Sequence, residues 1–473
     1  CKFIWKSVYL HREFIWKSVI DVYTSMLYRK IGEKIRSHLT SGSDKILIVE
    51  GARQIGKSFI IRHVGSQLFK NVIEINFAED KEGAELYRDI RTTDDFYLQL
   101  STTAGEKMGK KEDTLIFLDE IQEYPQFLTL LKFFRQEARF TFIASGSLLG
   151  VTLRQTTSIP IGSIAIMDMY PLEFEEFLIA NGYNQEALDY IKKQYRALQP
   201  LSEAMHKRTL DLFLRYLIVG GMPDAVNMYL SEKNITKVRN IQSDIINLYK
   251  IDASKYDTDR RLNIRRIYDM VPSAMENKKK RITIKDIEDK QGARFEQYAE
   301  DFEYVISSGI ALDVRAISNP KFPLLESSAK NLIKLYMNDV GLLTSLLYGT
   351  NIKAILDNVE SVNLGSVYET AVAQELKCRS KQLFYYDNKK YGEVDFLIDD
   401  YSTLSVLPIE VKSGKDYTRH TSLSRFVATP DYGIKKAYVL SNAREIKMKD
   451  GIAHLPIYYA MAINESSKED III

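Results

Sequence analysis

Cysteine is almost missing from this chain: 473 residues hold only Cys1 and Cys378. Two thiols so far apart, one of them terminal, exclude a disulfide framework, and a reducing cytoplasm is the expected compartment. Long hydrophobic runs are missing too. No apolar stretch approaches the roughly 20 residues that span a bilayer, so no membrane partner is expected. Nor does one sign of charge dominate, since 65 Lys and Arg face 63 Asp and Glu for a net +2. Any affinity for nucleic acid must therefore come from local patches rather than from a global field. Tryptophan occurs only as Trp5 and Trp16, inside a short duplication of Phe-Ile-Trp-Lys-Ser-Val at 3–8 and 14–19. The repeat is too short for a folding unit, and Lys6, His11, Arg12, Glu13 and Lys17 interrupt it too often for a secretory signal. The natural start is expected at Met26, opening a helix over Tyr28–Leu39, with 1–25 an upstream extension; the alternative is an amphipathic arm that docks on a neighbour.

What is present is a phosphate-binding pattern in its required setting. The apolar run Ile46-Leu47-Ile48-Val49 leads into Gly51-Ala52-Arg53-Gln54-Ile55-Gly56-Lys57-Ser58, and a helical pattern begins at Phe59. Gly51 and Gly56 let the backbone curl so that successive N–H groups point inward, and the following helix adds its positive end. Lys57 is expected on the β/γ oxygens of ATP and the Ser58 hydroxyl on Mg²⁺. A second strand is read at 72–77 and a third at Leu115-Ile116-Phe117-Leu118, which runs into Asp119-Glu120. A buried strand ending there delivers Asp119 to hold Mg²⁺ through water and Glu120 to orient or activate the attacking water. A further strand, Phe140–Ala144, ends in Ser145-Gly146-Ser147. In P-loop enzymes with a glutamate beside the Mg²⁺ aspartate, an extra strand between the cradle and aspartate strands carries a polar sensor. Ser145 is the first candidate and Ser147 the second. A last strand at 164–170 leads to Pro171, suited to the first turn of a helix through Phe174, Phe177 and Leu178.

The chain resembles the bacterial and archaeal AAA-class ATP-binding proteins that carry an uncharacterised C-terminal domain with a restriction-endonuclease-like core. The resemblance rests on the phosphate loop, on Leu118-Asp119-Glu120-Ile121-Gln122, Ser145-Gly146-Ser147 and Tyr170-Pro171-Leu172-Glu173-Phe174. It continues through Gly220-Gly221-Met222-Pro223, Leu335-Tyr336-Met337-Asn338-Asp339-Val340-Gly341 and Gly392-Glu393-Val394-Asp395-Phe396, in order from about Met26 to the 460s. Relatives often place an arginine before the Pro-Leu-x-Phe motif where this chain has Ile161-Gly162-Ser163, so an arginine finger is unassigned and Arg154 is only a weak candidate.

The expected fold is α/β and multidomain. A P-loop NTPase core with a parallel sheet and catalytic glutamate (26–180) is followed by a helical lid (181–255), a winged helix (256–328) and a restriction-endonuclease-like domain (329–473). The lid follows from a helical pattern with one sharp bend at Gly220-Gly221-Met222-Pro223. The winged helix follows from amphipathic stretches at 264–275, 283–289 and 293–307 before the strand 310–315. Lys278-Lys279-Lys280-Arg281 beside it could neutralise DNA phosphates, although such a run is more often a solvated loop.

In the last domain Glu369 lies in a helical run, and strands carry Asp395 and Glu410-Val411-Lys412. Strand alternation puts Glu410 and Lys412 on one face, with Asp395 able to meet them from the neighbouring strand. This is the arrangement of Mg²⁺-dependent phosphodiester cleavage: Asp395 and Glu410 on the metal, Lys412 on the water or the developing charge, Glu369 completing the ligation. The same fold also serves for binding after catalysis is lost, and Glu-x-Lys is an ordinary strand face as well. Three functions stay open. The first is an ATP-driven switch or motor acting on a partner, nucleic acid foremost. The second is an ATP-regulated nuclease. The third is a signalling or assembly ATPase that binds protein, with an oligomer compatible with each.

Overall fold

The computed structural model describes residues 26–147, 162–255, 260–277, 280–282, 287, 294–356, 364–380, 382–414 and 418–464. The repeat at 3–19, Arg154, Lys278 and Lys279 lie outside the described residues, as does most of the stretch 283–289. Among the described residues no helix is long and apolar enough to cross a membrane.

The first layer is a five-stranded parallel sheet. Its strands are β1 (Ile46–Glu50), β2 (Asn71–Asn76), β3 (Thr114–Asp119), β4 (Thr141–Gly146) and β5 (Ile164–Asp168), in the order β2-β3-β4-β1-β5. The strand ending in Ser145 thus lies between the cradle strand and the aspartate strand, as the sequence predicts. Every residue of β3 is buried, which is why it reads as a continuous apolar run rather than an alternation. Helices cover both faces. Gln126–Glu137 buries Phe127, Leu128, Leu130, Leu131 and Phe134 along one stripe, and Phe134 stacks on Phe142 of β4 with ring centroids 4.6 Å apart. On the opposite face Lys57–Leu68 inserts Ile60, Ile61 and Val64.

Helices Gln185–Arg196, Glu203–Val219, Pro223–Glu232, Ile235–Lys255 and Arg261–Glu276 follow. Pro223 opens its helix at the first turn, where its missing N–H costs nothing. Beyond them lies an eight-stranded mixed sheet. Its strands are β6 (Ala311–Ile317), β7 (Ser328–Met337), β8 (Leu383–Asn388), β9 (Gly392–Asp400), β10 (Ser405–Val411), β11 (Ala437–Ser441), β12 (Lys447–Lys449) and β13 (Ile452–Pro456). Their order is β12-β13-β11-β10-β9-β8-β6-β7.

Here the structure differs from the reading of 256–328 as a separate winged helix. The strand read at 310–315 is β6, paired antiparallel to β7 and parallel to β8 inside the large sheet. The physical reason is burial on both faces: six of its seven residues are buried, which an exposed wing would not permit. The boundary expected at 328/329 falls between these two paired strands.

One apolar cluster runs from Leu27 and Ile31 through Phe213 and Tyr216 to Tyr458 and Tyr459, joining the rear of the ATPase sheet to the large sheet. A helix at their junction, Gly365–Lys377, is buried from Ser366 to Leu376. Glu375 accepts from the Phe174 amide at 2.6 Å, and Gln374 donates to Tyr216 Oη at 2.8 Å. Arg379 bonds Glu173 at 2.6 Å and Glu375 at 3.2 Å. Burial raises the Glu173 carboxyl, but Arg379 and Lys30 outweigh burial and hold it at about 2.

A buried arginine ties the N-terminal helix Lys30–Thr40 to the same region. Arg29 donates to Glu176 at 3.1 Å, to the Ile55 carbonyl at 2.8 Å and to the Tyr170 carbonyl at 2.6 Å. Arg29 and Glu176 are 8% and 3% exposed, so the loss of one strands the other's charge in a dry setting. Arg29→Met is therefore expected to cost about 3–5 kcal/mol in urea unfolding, with much of it recovered in Arg29→Met/Glu176→Leu. A single variant as stable as wild type would show that the pair does not anchor this junction.

Candidate nucleotide site

The phosphate loop folds as its glycines require. Gly51 has φ +152°, and a Cβ there would lie 2.2 Å from the Met169 carbonyl oxygen. Gly56 has φ +91° and caps the helix that begins at Lys57. Ala52 and Ile55 bury their side chains, so they serve the site through backbone alone. Gln54 also takes a left-handed conformation, with φ +63°. Lys57 is buried and lies across its own loop, donating to the carbonyls of Gly51 at 3.0 Å and Ala52 at 2.8 Å. Burial lowers its pKa, while the nearby charges of Glu120 and Asp119 oppose that shift.

Asp119 ends β3 at 2% exposure. Its two carboxylate oxygens accept from Ser58 Oγ at 3.0 and 2.9 Å, and one of them also accepts from Ser145 Oγ. Burial raises its pKa; the hydrogen bonds from Ser145 and Ser58 pull the other way. Glu120 turns out of the strand with φ +54°, a costly conformation for a residue with a side chain, and so leaves the line of β3. Its carboxylate accepts from Gln122 Nε2 at 2.5 Å and from Ser147 Oγ at 3.1 Å. The two serine candidates therefore divide the work: Ser145 touches the aspartate and Ser147 the glutamate.

Arg53, Gln54, Gly56, Lys57, Ser58, Asp119 and Glu120 share one cleft of about 1060 Å³, which also meets Leu248, Asp252 and Tyr304. That is the upper end of the range for small-molecule sites. Distant segments close on the loop. Tyr249 Oη donates to the Arg53 carbonyl at 2.9 Å, Arg53 Nη1 bonds Asp252 at 2.6 Å, and the turn at Gly309 abuts the Ala52 amide. Sequence reasoning missed Tyr249 and Asp252, which stand about two hundred residues from the loop with no local pattern to mark them. Gln122 had a local signal, since Glu-x-Gln in the tight turn Ile121–Glu123 brings the two side chains together.

The second candidate set also assembles. The register of β9 and β10 pairs Phe396 with Ile409, and its next step sets Asp395 opposite Glu410. Asp395 accepts from the Val411 amide at 2.8 Å, and Lys412 bonds Glu410 at 2.9 Å. Glu369 accepts from Tyr336 Oη at 3.1 Å and is paired with Lys280. Glu410 Oε2 is buried with no hydrogen-bond partner, and burial together with the charge of Asp395 pushes this carboxyl up to about 8. Among the described residues no three Asp, Glu, His or Cys side chains converge as a metal site would need. The expected metal ligation by Asp395, Glu410 and Glu369 is thus not met in this arrangement, where lysines neutralise Glu369 and Glu410. Of the basic run, Lys280 and Arg281 are described, and both are committed to carboxylates, Glu369 and Asp387.

Comparison with known proteins agrees with the first site. An AAA domain family matches residues 43–178. Two domains of unknown function match further on, DUF8612 over residues 210–353 and DUF4143 over residues 364–460. No curated protein matches the chain. Among solved structures, the Walker-type ATPase paby2304 of Pyrococcus abyssi is similar at 13% identity and TM-score 0.41, over 68% of this chain and 96% of that one. The S. cerevisiae Hsp104–ADP complex is similar at 12% identity and TM-score 0.27, over 59% and 38%. The Thermotoga maritima RuvB Holliday junction branch migration motor is similar at 12% identity and TM-score 0.26, over 60% and 89%. The family match, the order of the five parallel strands and the loop geometry together identify residues 43–178 as an AAA-class P-loop ATPase domain.

Proposed function

We propose that this chain is a Mg²⁺-dependent ATPase that works as a conformational switch, its turnover changing how the helix Ile235–Lys255 and the large-sheet domain are presented to a partner. One observation carries the reading: the residues that grip the phosphate loop from outside, Tyr249 and Asp252, belong to the helix that would move. Ser58 and Asp119 would hold Mg²⁺, because a hydroxyl and a carboxylate are the hard oxygen donors this ion takes. Once bound, Mg²⁺ neutralises charge on the β- and γ-phosphate oxygens. Lys57 exchanges the carbonyls of Gly51 and Ala52 for phosphate oxygens. Ser145 keeps Asp119 in orientation, while Ser147 and Gln122 fix the carboxylate of Glu120, which positions the attacking water and draws on its proton.

Lys57→Ala should abolish ATP binding in calorimetry. Glu120→Gln should still bind ATP while turnover falls roughly 10²–10⁴-fold, the usual contribution of a positioned general base. Equal hydrolysis by wild type and Glu120→Gln would reject the assignment.

The partner we propose is a nucleic acid, engaged through the large-sheet domain, whose carboxylate and lysine pattern is that of phosphodiester chemistry. The ATPase rate should then rise with DNA or RNA, and the stimulation should weaken between low and high salt as phosphate contacts are screened. A rate indifferent to both polymers, with a protein recovered by pull-down, would favour an assembly or signalling ATPase instead.

A second reading, an ATP-regulated nuclease, is favoured by the partnerless buried oxygen of Glu410 opposite Asp395. Plasmid and single-stranded DNA incubated with ATP and Mg²⁺ or Mn²⁺ should be cut by wild type and spared by Asp395→Ala and Lys412→Ala. Identical products from all three proteins would discard it.

A further inference from the structure

Arg53 is the one loop residue whose side chain leaves the loop for other elements. Its Nη1 bonds Asp252 Oδ1 at 2.6 Å, Nη2 lies 3.8 Å from Glu123 Oε1, and Nε meets Ser147 Oγ at 3.4 Å. Ser147 in turn donates to Glu120 at 3.1 Å, so a single hydroxyl separates the guanidinium from the glutamate that positions water. Arg53 thus stands at the end of the cleft where the terminal phosphoryl group is transferred. Its carbonyl is held by Tyr249, three residues before Asp252 on the same helix, so backbone and side chain both tie the loop to the C-terminal part of Ile235–Lys255.

We infer that Arg53 is a γ-phosphate sensor carried within the phosphate loop itself, with Asp252 as the partner it holds when no γ-phosphate is there. A guanidinium is a planar fork that suits a phosphate as well as it suits a carboxylate. ATP offers that fork a γ-phosphoryl group beside Glu120; ADP does not. With ATP the guanidinium leaves Asp252, and Lys81, which bonds Glu123 at 3.0 Å, keeps that neighbouring carboxylate compensated. Asp252 then no longer ties the end of its helix to the loop. With ADP the ion pair re-forms and the helix is drawn back. This rests on the ATPase reading above and adds to it the contact that tells ATP from ADP, supplied in cis rather than by a neighbouring subunit.

The experiment measures the affinities of the full-length protein for ATPγS and for ADP, each with Mg²⁺, in wild type, Arg53→Ala, Arg53→Lys, Asp252→Asn and Arg53→Ala/Asp252→Asn. Arg53→Ala should lower the preference for ATPγS over ADP roughly tenfold or more, the usual weight of charge-assisted hydrogen bonds, and Arg53→Lys should restore part of it. Asp252→Asn removes the competitor and should raise ATPγS affinity several-fold with ADP affinity little changed. The double variant should behave as Arg53→Ala, because without the arginine there is nothing for Asp252 to compete for. Hydrogen exchange across 244–255 should rise with ATPγS in wild type and stay level in Arg53→Ala. A preference for ATPγS over ADP that is unchanged in Arg53→Ala and Asp252→Asn overturns this inference while leaving the ATPase standing. A wild type that binds neither nucleotide brings down both.

Discussion

Four carbonyls of the phosphate loop are captured from outside it. Lys57 takes those of Gly51 and Ala52, Tyr249 takes that of Arg53, and Arg29 takes that of Ile55. A short backbone whose carbonyls are drawn outward turns its amides toward the centre of the curl, which is the condition for a concave anion site. The captors come from three distant parts of the chain: the N-terminal helix, the loop's own helix and the helix Ile235–Lys255. The shape of the loop is therefore a tertiary property. Its glycines permit the curl, and Arg29 and Tyr249 select it.

That dependence links the ATPase to the rest of the molecule. Leu172 donates to the Gly221 carbonyl at 2.7 Å, and the Gly221 amide bonds Asp339. A Cβ on Gly221 would meet the Leu172 carbonyl oxygen at 2.2 Å, so these two turns are in backbone contact with no room for a side chain. Gln374 reaches the same Leu172 carbonyl from the helix Gly365–Lys377, which also carries Glu369 into the second candidate site. A helix buried from Ser366 to Leu376 moves as a rod, because a close-packed interior resists local deformation. A displacement at the end of the ATPase sheet therefore reaches Glu369 through rigid contacts rather than through a flexible linker.

The parts legible in the sequence are those whose physics is local. Gly51, Gly56, Lys57 and Ser58 announce the loop because its dihedrals and charges need those residue types at fixed spacing. Asp119-Glu120 is readable because a strand buried on both faces must be apolar until it reaches the site. The position of β4 follows the resemblance, and the structure has it there. What escaped is set by pairing across the chain. Asp252 and Tyr249 look like any polar positions on an amphipathic helix, and Arg29 like any helix-start arginine. The strand at 310–315 has an apolar pattern that fits a wing as well as a sheet interior; only its pairing with β8 decides. The left-handed turn at Glu120 has no sequence mark at all, since strain of that kind is held by its surroundings.

The two carboxylate sites differ in how their charge is balanced, and this separates them chemically. Asp119 is buried and held by two hydroxyls, and among the described residues no ion pair reaches it. Hydroxyls orient a carboxylate without cancelling its charge, so such a site gains from an added divalent cation. At the second site Glu369 is paired with Lys280 and Glu410 with Lys412. Two ammonium groups already offset two of its three carboxylates, so an incoming metal would have to displace a tethered lysine as well as shed its own water. Lys280 belongs to the segment after the helix Arg261–Glu276, and that helix packs on Ile235–Lys255 through Tyr249 and Tyr268, whose ring centroids lie 6.2 Å apart. The cation that would have to leave is thus carried by an element that touches the helix bound to the phosphate loop. Access to the second site and occupancy of the first are joined through Tyr249, which contacts both the loop and the neighbour of the lysine.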